Sequence, residues 1–295
     1  MSAVMGAQER RRISVVVPFY NVERYLGDCV AALRAQSYPR CDYEIILVDN
    51  ASTDRSAEIA GRFDDVTVLR QPVPGSYSAR NMGIQAACGE IIATIDPDCR
   101  ADPDWLEQIA EAMKDPGCQI LLGHQAHASS SEALKLLELY EAEKISYVTN
   151  TGQRELYFGY TNNMAFRRMV FDSIGLFPER TRGGDTIFVR RAVDKLGPDA
   201  VRYVPSMKMT HLELGTVNAY YNKRLIYGQS NERISEILPF RSLRNRERWT
   251  VFRNLTRRHK LSLRKKLMLL ALLAPGVLLY ESGRRKGMLS RLRGH

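Results

Sequence analysis

Three times in the first hundred residues an apolar, β-branched run passes straight into a short polar stretch: "ISVVV" (13–17) leads into "PFYN", "EIILV" (44–48) into "DNASTD", and "EIIATI" (90–95) into "DPDC". Few folds accept that pattern, because runs this apolar read as strands buried on both faces. After the first strand, Val22, Leu26, Val30 and Leu33 recur at the spacing of one helical face. "VTVL" (66–69) reads as a further strand, and a helix opening near Ser76 closes between Ile84 and Cys88. Expected caps are Thr53 or Asp54, Asp102 with Pro103 at the first helical position, and the capping box Ser129-x-x-Glu132. Strands alternating with helices predict an α/β chain with a mostly parallel sheet flanked by helices. Ligands of such sheets sit beyond the carboxyl ends of the strands, so the three polar stretches are expected to line one crevice.

The third stretch carries Asp96, Asp98, Asp102 and Asp104. The last two suit the first turn of a helix, where carboxylates complement free N–H groups and the helix dipole. Asp96 and Asp98 bracket a proline at a strand end and repel each other unless something positive lies between them. A hard divalent cation, Mg²⁺ or Mn²⁺, meets that need with oxygen ligands; a plain acidic loop is the alternative.

Charge is unevenly spread in this chain of net charge +10. Residues 241–295 hold 16 Lys or Arg against 2 Glu, leaving 27 basic against 31 acidic residues before them. Inside that tail the apolar run Leu267–Tyr280 is bracketed by Arg264, Lys265, Lys266 and by Arg284, Arg285, Lys286. Fourteen helical residues reach about 21 Å, short of a bilayer core of about 30 Å, and Pro275-Gly276 is expected to interrupt them. The expectation is a helical tail lying on an anionic membrane surface; a core helix of the globular domain is the alternative. The N-terminus lacks an apolar stretch of signal-peptide length, and five cysteines without a C-x-x-C pair fit a reducing compartment. The predicted location is cytoplasmic, peripheral to the inner face of the membrane.

No G-x-G-x-x-G follows the first strand and no G-K-[ST] occurs, which disfavours dehydrogenases and P-loop enzymes. Taken in order, "SVVVPFYNVERYLGDCVAALRAQSYP", "EIILVDNASTD", "SARNMGIQAACGEIIATIDPDC" and "FPERTRGGDTIFVRRA" resemble family 2 glycosyltransferases of the GT-A fold, over about residues 13–230. The resemblance implies an inverting transfer of a sugar from a nucleotide diphosphate, with UDP expected, to a hydroxyl acceptor, with Mg²⁺ or Mn²⁺. It divides the chain into an extension (1–12), a nucleotide-sugar-binding half (13–125), an acceptor-binding and catalytic half (126–240) and the membrane-association segment (241–295).

Carried over residue by residue, the resemblance gives Pro18, Tyr20, Asp49, Asn50, Arg80 and Asp96 to the nucleotide sugar, with Tyr20 suited to stacking on a base. Asn50 stands where a second Asp is common, and Arg80 reads equally as a surface arginine on a helix. Asp98 matches the metal ligand, and His211 a residue near the metal or leaving diphosphate. Asp185 matches the catalytic base; as an N-cap of the following helix it would also be well placed. Gly184 replaces the usual Glu on the acceptor side, and Asn162 and Asn163 match a loop facing sugar and acceptor. The expected acceptor is a lipid-linked saccharide or surface polysaccharide. A non-catalytic sugar-nucleotide-binding or scaffold protein is the runner-up; a nucleic-acid-binding protein would leave the tail's apolar run without a role, and no nucleic acid is expected.

Overall fold

A single eight-stranded sheet runs through the computed structural model, which describes residues 12–129, 131–179 and 182–293. The expected extension, residues 1–12, lies outside the described residues except for Arg12, whose backbone already pairs with Asp42 at 2.8 Å. Each of the first apolar runs forms a strand: β1 (Ile13–Phe19), followed by α1 (Leu26–Arg34); β2 (Tyr43–Asp49), followed by α2 (Ser56–Ala60); and β3 (Thr67–Arg70), followed by α3 (Ser76–Ala86). β4 (Ile91–Ile95) then turns through the acidic cluster into β5 (Cys99–Ala101) and α4 (Trp105–Ala112). The second half supplies β6 (Ile120–His127), α5 (Glu132–Asn150), β7 (Asn163–Arg167), α6 (Met169–Ile174), α7 (Gly184–Leu196), β8 (Val201–His211) and α8 (Val217–Ile234). Two more helices, α9 (Asn245–Arg258) and α10 (Leu263–Arg293), complete the described chain.

Strand order is β3-β2-β1-β4-β7-β6-β8-β5. The sheet is mostly parallel, as expected, with two reversals: β3, β2, β1, β4, β6 and β8 run one way, while β7 runs against both neighbours and β5 against β8. β7 enters antiparallel because it follows a helix and loop that return on the same edge, which a sequence of strand-like runs does not reveal. The expected division near residue 125 falls inside β6, and one sheet carries strands from both sides of it.

Strand periodicity sorts the core into two layers. Val15, Val17, Ile45, Leu47, Ala93 and Ile95 pack under α1 and α4, while Val16, Ile46, Val48 and Ile92 pack under α3, α5 and α7. β2 lies on one side of β1 and β4 on the other, so chain order reverses between β1 and β4. That reversal opens a crevice at the carboxyl ends of both strands.

The expected caps differ. α4 starts at Trp105, not Pro103; Asp104 occupies the cap without a side-chain bond to the backbone, its carboxylate accepting instead from Gln108 Nε2 at 2.9 Å. α5 starts at Glu132, so that residue cannot reach back as the third of a capping box; its carboxylate binds Arg264 at 2.7 Å. α2 also differs: Arg55, not Thr53 or Asp54, occupies its cap, although Asp54 just outside accepts from Ser56 N–H at 2.9 Å.

The basic tail is folded onto the body. α10 is continuous through Pro275, and Tyr221 on α8 donates to the Leu272 carbonyl at 2.9 Å in the turn before that proline. Gly276, Tyr280, Gly283 and Gly287 on α10 meet Tyr221, Gly228, Leu225 and Gln229 on α8, so contacts advance in step and the helices run parallel. A Cβ on Gly228 would strike the Tyr280 carbonyl, and one on Gly283 the Leu225 carbonyl. Gly-to-Ala in an open helix stabilises by about 1 kcal/mol. Gly283→Ala is expected to reverse that sign and cost about 1–3 kcal/mol by overpacking, read as a lower midpoint of urea unfolding; a raised midpoint would show that the two helices do not touch there.

Candidate active site

At the strand reversal lies a cavity of about 680 Å³. Pro18 and Tyr20 reach it from the end of β1, Asn50 from the end of β2, and Asp96 and Asp98 from the end of β4. Arg80, Asn162, Asp185 and His211 arrive from α3, the loop before β7, α7 and the end of β8. Asp98 and Asp185, 87 positions apart in the chain, therefore line one cavity, as the crevice argument requires.

Three of the expected residues do other work. Asp49 is buried beneath the cavity, its carboxylate accepting from Ser52 N–H at 2.9 Å and so shaping the polar turn. Asn163 is fully buried: its amide donates to the carbonyls of His124 (2.7 Å) and Met207 (3.1 Å), and its oxygen accepts from the Trp105 indole at 2.8 Å. Gly184 faces the Tyr77 ring, where an added Cβ would come within 3.0 Å. The absence of a side chain there is what lets Tyr77 lie against α7. Asn50 does line the cavity, with one lone pair of its side-chain oxygen already taken by Gly75 N–H at 3.1 Å.

Arg80 is not a surface arginine; it is 3% exposed. Its guanidinium donates to Asp96 Oδ1 at 2.8 Å and lies 5.6 Å from the Tyr77 ring centroid. Tyr77 precedes Arg80 by one helical turn, so both project from one face of α3. The Tyr77 hydroxyl accepts from the Asp185 backbone N–H at 3.2 Å. One helical turn thus links the acid after β4 with the acid at the start of α7. Asp185 is in the first turn of α7 rather than its cap, and its carboxylate accepts from Thr186 N–H at 2.8 Å. Burial raises its pKa above the ordinary aspartate value, with the charge of Asp96 adding to the rise, while the Thr186 N–H, Tyr77 and Arg80 oppose it.

Arg80 answers the repulsion around Asp96, while the charge of Lys223 only partly offsets that of Asp98. Burial, then the charges of Asp96 and Glu213, push Asp98 up to about 6. Cross-strand register explains its neighbour: Cys99 on β5 lies opposite His211 on β8, and Leu212 N–H donates to the Asp98 carbonyl at 2.9 Å. His211 Nδ1 is 3.6 Å from Asp98 Oδ2, and its Nε2 is 2.7 Å from Lys223 Nζ. Burial, then the charges of Lys223 and His127, push the imidazole down to about 3, so it is neutral and its approach to Asp98 is not an ion pair.

Asp98, Cys99 and His211 present ligand atoms that all lie within 4.8 Å of one another. His211 Nδ1 is buried without a hydrogen-bond partner among the described residues. Because Lys223 donates to Nε2, the neutral ring carries its proton on Nδ1, facing the half-buried Asp98; the pair fits a divalent ion in the other tautomer, with Nδ1 and the carboxylate as donors. Cys99 is buried, and its thiol, 3.5 Å from Asp98 Oδ1, is held protonated by burial and by the charges of Asp98 and Asp96, which makes it a poor ligand in this state. Tyr77 and Lys223 escaped the sequence reading. Tyr77 was recoverable from its i, i+3 spacing to Arg80; Lys223 had no local signal, because only the packing of α8 brings it to His211.

The model of glycosyl transferase family 2 matches residues 14–175. The glycosyltransferase AglE of Haloferax volcanii is 31% identical over 192 residues, 62% of this chain and 61% of that protein. The glycosyltransferase GlyG of Streptococcus pneumoniae is 37% identical over 125 residues, 41% of each. The chain thus spans less than two thirds of these relatives' length. Among solved structures, a mannosyltransferase of Pyrobaculum calidifontis, in complex with GDP-Man and Mn²⁺, superposes with a TM-score of 0.61 at 19% identity, covering 95% of this chain and 81% of its own. TarS 1–349 of S. aureus, in complex with UDP-GlcNAc, gives 0.52 at 17% identity, covering 91% and 81%. Both share the fold.

The Arg80–Asp96 contact is expected to behave as a coupled pair. In a double-mutant cycle of Arg80→Met and Asp96→Asn, followed by chemical denaturation, the coupling should be about 1–2 kcal/mol, reduced from the buried limit because Asp96 is partly exposed. Additive effects would mean the two side chains do not hold each other.

Proposed function

The chain belongs to glycosyl transferase family 2, and on that premise we propose that it is an inverting glycosyltransferase moving a sugar from a nucleotide diphosphate, UDP by preference, to the hydroxyl of a saccharide acceptor. The observation that carries the reading is the meeting of Asp98 and Asp185 in one cavity with Tyr20 and Arg80. Tyr20, 52% exposed on the rim, offers a ring for a base to stack on. Asn50 has a lone pair left for a ring N–H of the base, and Arg80 sits where donor charge would arrive.

Asp98 and His211 would hold a divalent cation, which when bound neutralises the diphosphate as it departs. Asp185 takes the proton of the acceptor hydroxyl as that oxygen attacks C1 of the sugar from the face opposite the phosphate, so the C1–O bond forms as the C1–phosphate bond breaks. Tyr77 and Thr186 fix its orientation through the bonds at 3.2 Å and 2.8 Å. The raised pKa makes Asp185 a better base once ionised but delays its ionisation. The presence of Asp185 on the cavity lining supports transfer over the non-catalytic alternative, which rests on the departures at Asn50 and Gly184.

The same reading extends to an anionic membrane surface met by α10, at the cytoplasmic face if the acceptor is lipid-linked. Leu263, Leu267, Leu270, Leu278 and Leu289 are exposed, the first four along one helical stripe, while Leu269, Gly276 and Tyr280 face inward. Exposed Arg264, Arg285 and Lys286 flank that stripe, matching anionic headgroups at both ends. Among the described residues no helix is long and apolar enough to cross a membrane, which fits a helix lying on the surface.

Asp185→Asn is expected to lower the transfer rate about 10²- to 10⁴-fold while leaving donor affinity, measured by calorimetry with Mn²⁺, within twofold of the parent; retained transfer would remove Asp185 from this role. Because the raised pKa keeps Asp185 protonated to higher pH, the rate should fall on acidification with a midpoint above the ordinary aspartate value of about 3.9. Flotation on liposomes containing phosphatidylglycerol should be lost in Leu267→Glu/Leu278→Glu and keep its dependence on salt in the parent; equal flotation of both proteins would exclude the stripe.

A further inference from the structure

Beyond the acids, the cavity continues into a chamber of a different kind. Lys144 on α5, Arg224 on α8 and Arg248 on α9 line it, with one carboxylate, Glu141, among them. Glu141 pairs with Lys144 and with Arg224 Nη2 at 3.1 Å, and accepts from the Tyr220 hydroxyl at 2.8 Å. Three of its about four acceptor positions are thus taken, while three cations line the chamber beside one carboxylate. Among the described residues Arg248 has only Glu281 at 3.8 Å, outside the chamber wall, and Arg224 Nε is buried without a partner. By contrast Arg241, also on the wall, is fully matched by Glu247 at 2.7 Å and Glu155 at 3.2 Å. Burial, together with the charges of Arg224 and Arg248, holds Lys144 below the ordinary lysine value despite its Glu141 partner, so the three cations feel one another. Such excess charge in a half-enclosed site is relieved by an anion.

The position of the excess says which anion. The stem of Arg224 lies 3.9 Å from where a Cβ on Gly276 would stand and Arg248 reaches Glu281 at 3.8 Å, so these cations stand at the α10 wall, whereas the cation beside His211 is Lys223. Next to them the wall is apolar: Leu243, Leu273, Val277 and Tyr280, the last three from the inner face of α10. We propose that Lys144, Arg224 and Arg248 form a second anion subsite that binds a phosphate carried by the acceptor, the apolar group esterified to that phosphate lying along Leu243, Leu273 and Val277. The proposal deepens the transfer reading and rests on it for the identity of the acceptor. It commits the acceptor class to amphiphilic phosphate esters, such as a lipid phosphate bearing a saccharide. The phosphate is an anchor and not a reactant: no bond to it forms or breaks.

The test is titration calorimetry with dodecyl phosphate, using inorganic phosphate and the uncharged detergent dodecyl maltoside as comparisons, on the full chain. Dodecyl phosphate should bind more tightly than either comparison. Arg248→Gln should weaken it about fivefold or more, and Glu141→Gln, which frees Lys144 and Arg224 from their anion, should tighten it about fivefold. A gain of affinity is not something a misfolded variant produces. Dodecyl phosphate affinity within twofold of the parent in both variants, or equal binding of dodecyl maltoside, would overturn the subsite. Titrating the same proteins with nucleotide sugar separates the two readings. Donor binding and transfer without dodecyl phosphate binding would overturn the subsite and leave the transferase, whereas dodecyl phosphate binding with the variant pattern above, but no donor binding, would support the subsite and end the transferase.

Discussion

The guanidinium of Arg80 and the phenol of Tyr77, one turn apart on α3, join the two halves of the site. Arg80 holds Asp96 at 2.8 Å after β4, and Tyr77 receives the Asp185 backbone N–H at 3.2 Å at the start of α7. A nearly buried guanidinium needs a carboxylate, and a carboxylate at a strand end beside another needs a cation. Each therefore fixes the other, and the helix between them sets the separation of the two acids across the cavity. Gly184 belongs to the same device, because a larger residue would push the Tyr77 ring off α7. The departure from the Glu of the family pattern thus has a packing reason. It leaves Asp185 in the first turn of the helix, where burial raises its pKa and N–H groups limit the rise.

Asp98 and His211 depend on a second constraint, the antiparallel register of β5 and β8. Pairing Cys99 with His211 brings the residue before Cys99 within 3.6 Å of the imidazole. Burial then works in opposite directions on the two groups, holding a proton on Asp98 to higher pH and keeping His211 neutral. Both shifts follow chiefly from burial, with the charge of Lys223 lowering His211 further and opposing the rise of Asp98. The tail adds the third wall. α10 lies parallel to α8 through a row of glycines, so its inner face closes the apolar chamber while its outer face keeps exposed leucines between basic residues. One helix thereby connects the cavity lining to the outer surface.

Much of the donor side was legible because its signals are local. The strand runs, the polar stretches that end them, and the placement of Tyr20, Asn50, Asp96 and Asp98 follow from neighbours in sequence. Asp49 and Asn163 were misplaced because adjacent residues on a strand or turn face opposite ways, and motif matching does not choose between i and i+1. The caps of α4 and α5 shifted because the expected carboxylates found tertiary partners, Lys208 for Asp102 and Arg264 for Glu132. Lys223, Lys144, Arg224 and Arg248 come from α5, α8 and α9, where hydrophobic periodicity predicts a helix but not which of its polar residues turn inward.

By itself the sequence determined that apolar strands alternate with helices, that polar turns gather at one edge of a sheet, and that acids follow the fourth strand, since short-range hydrophobic patterning and turn chemistry suffice for each. Only the tertiary structure decided the direction of β7, the pairing of Arg80 with Asp96, the seat of His211 between Asp98 and Lys223 and the docking of a basic helix against α8. Those depend on which residues distant in the chain share a low-dielectric interior, where an unmatched charge or donor is costly enough to select its partner.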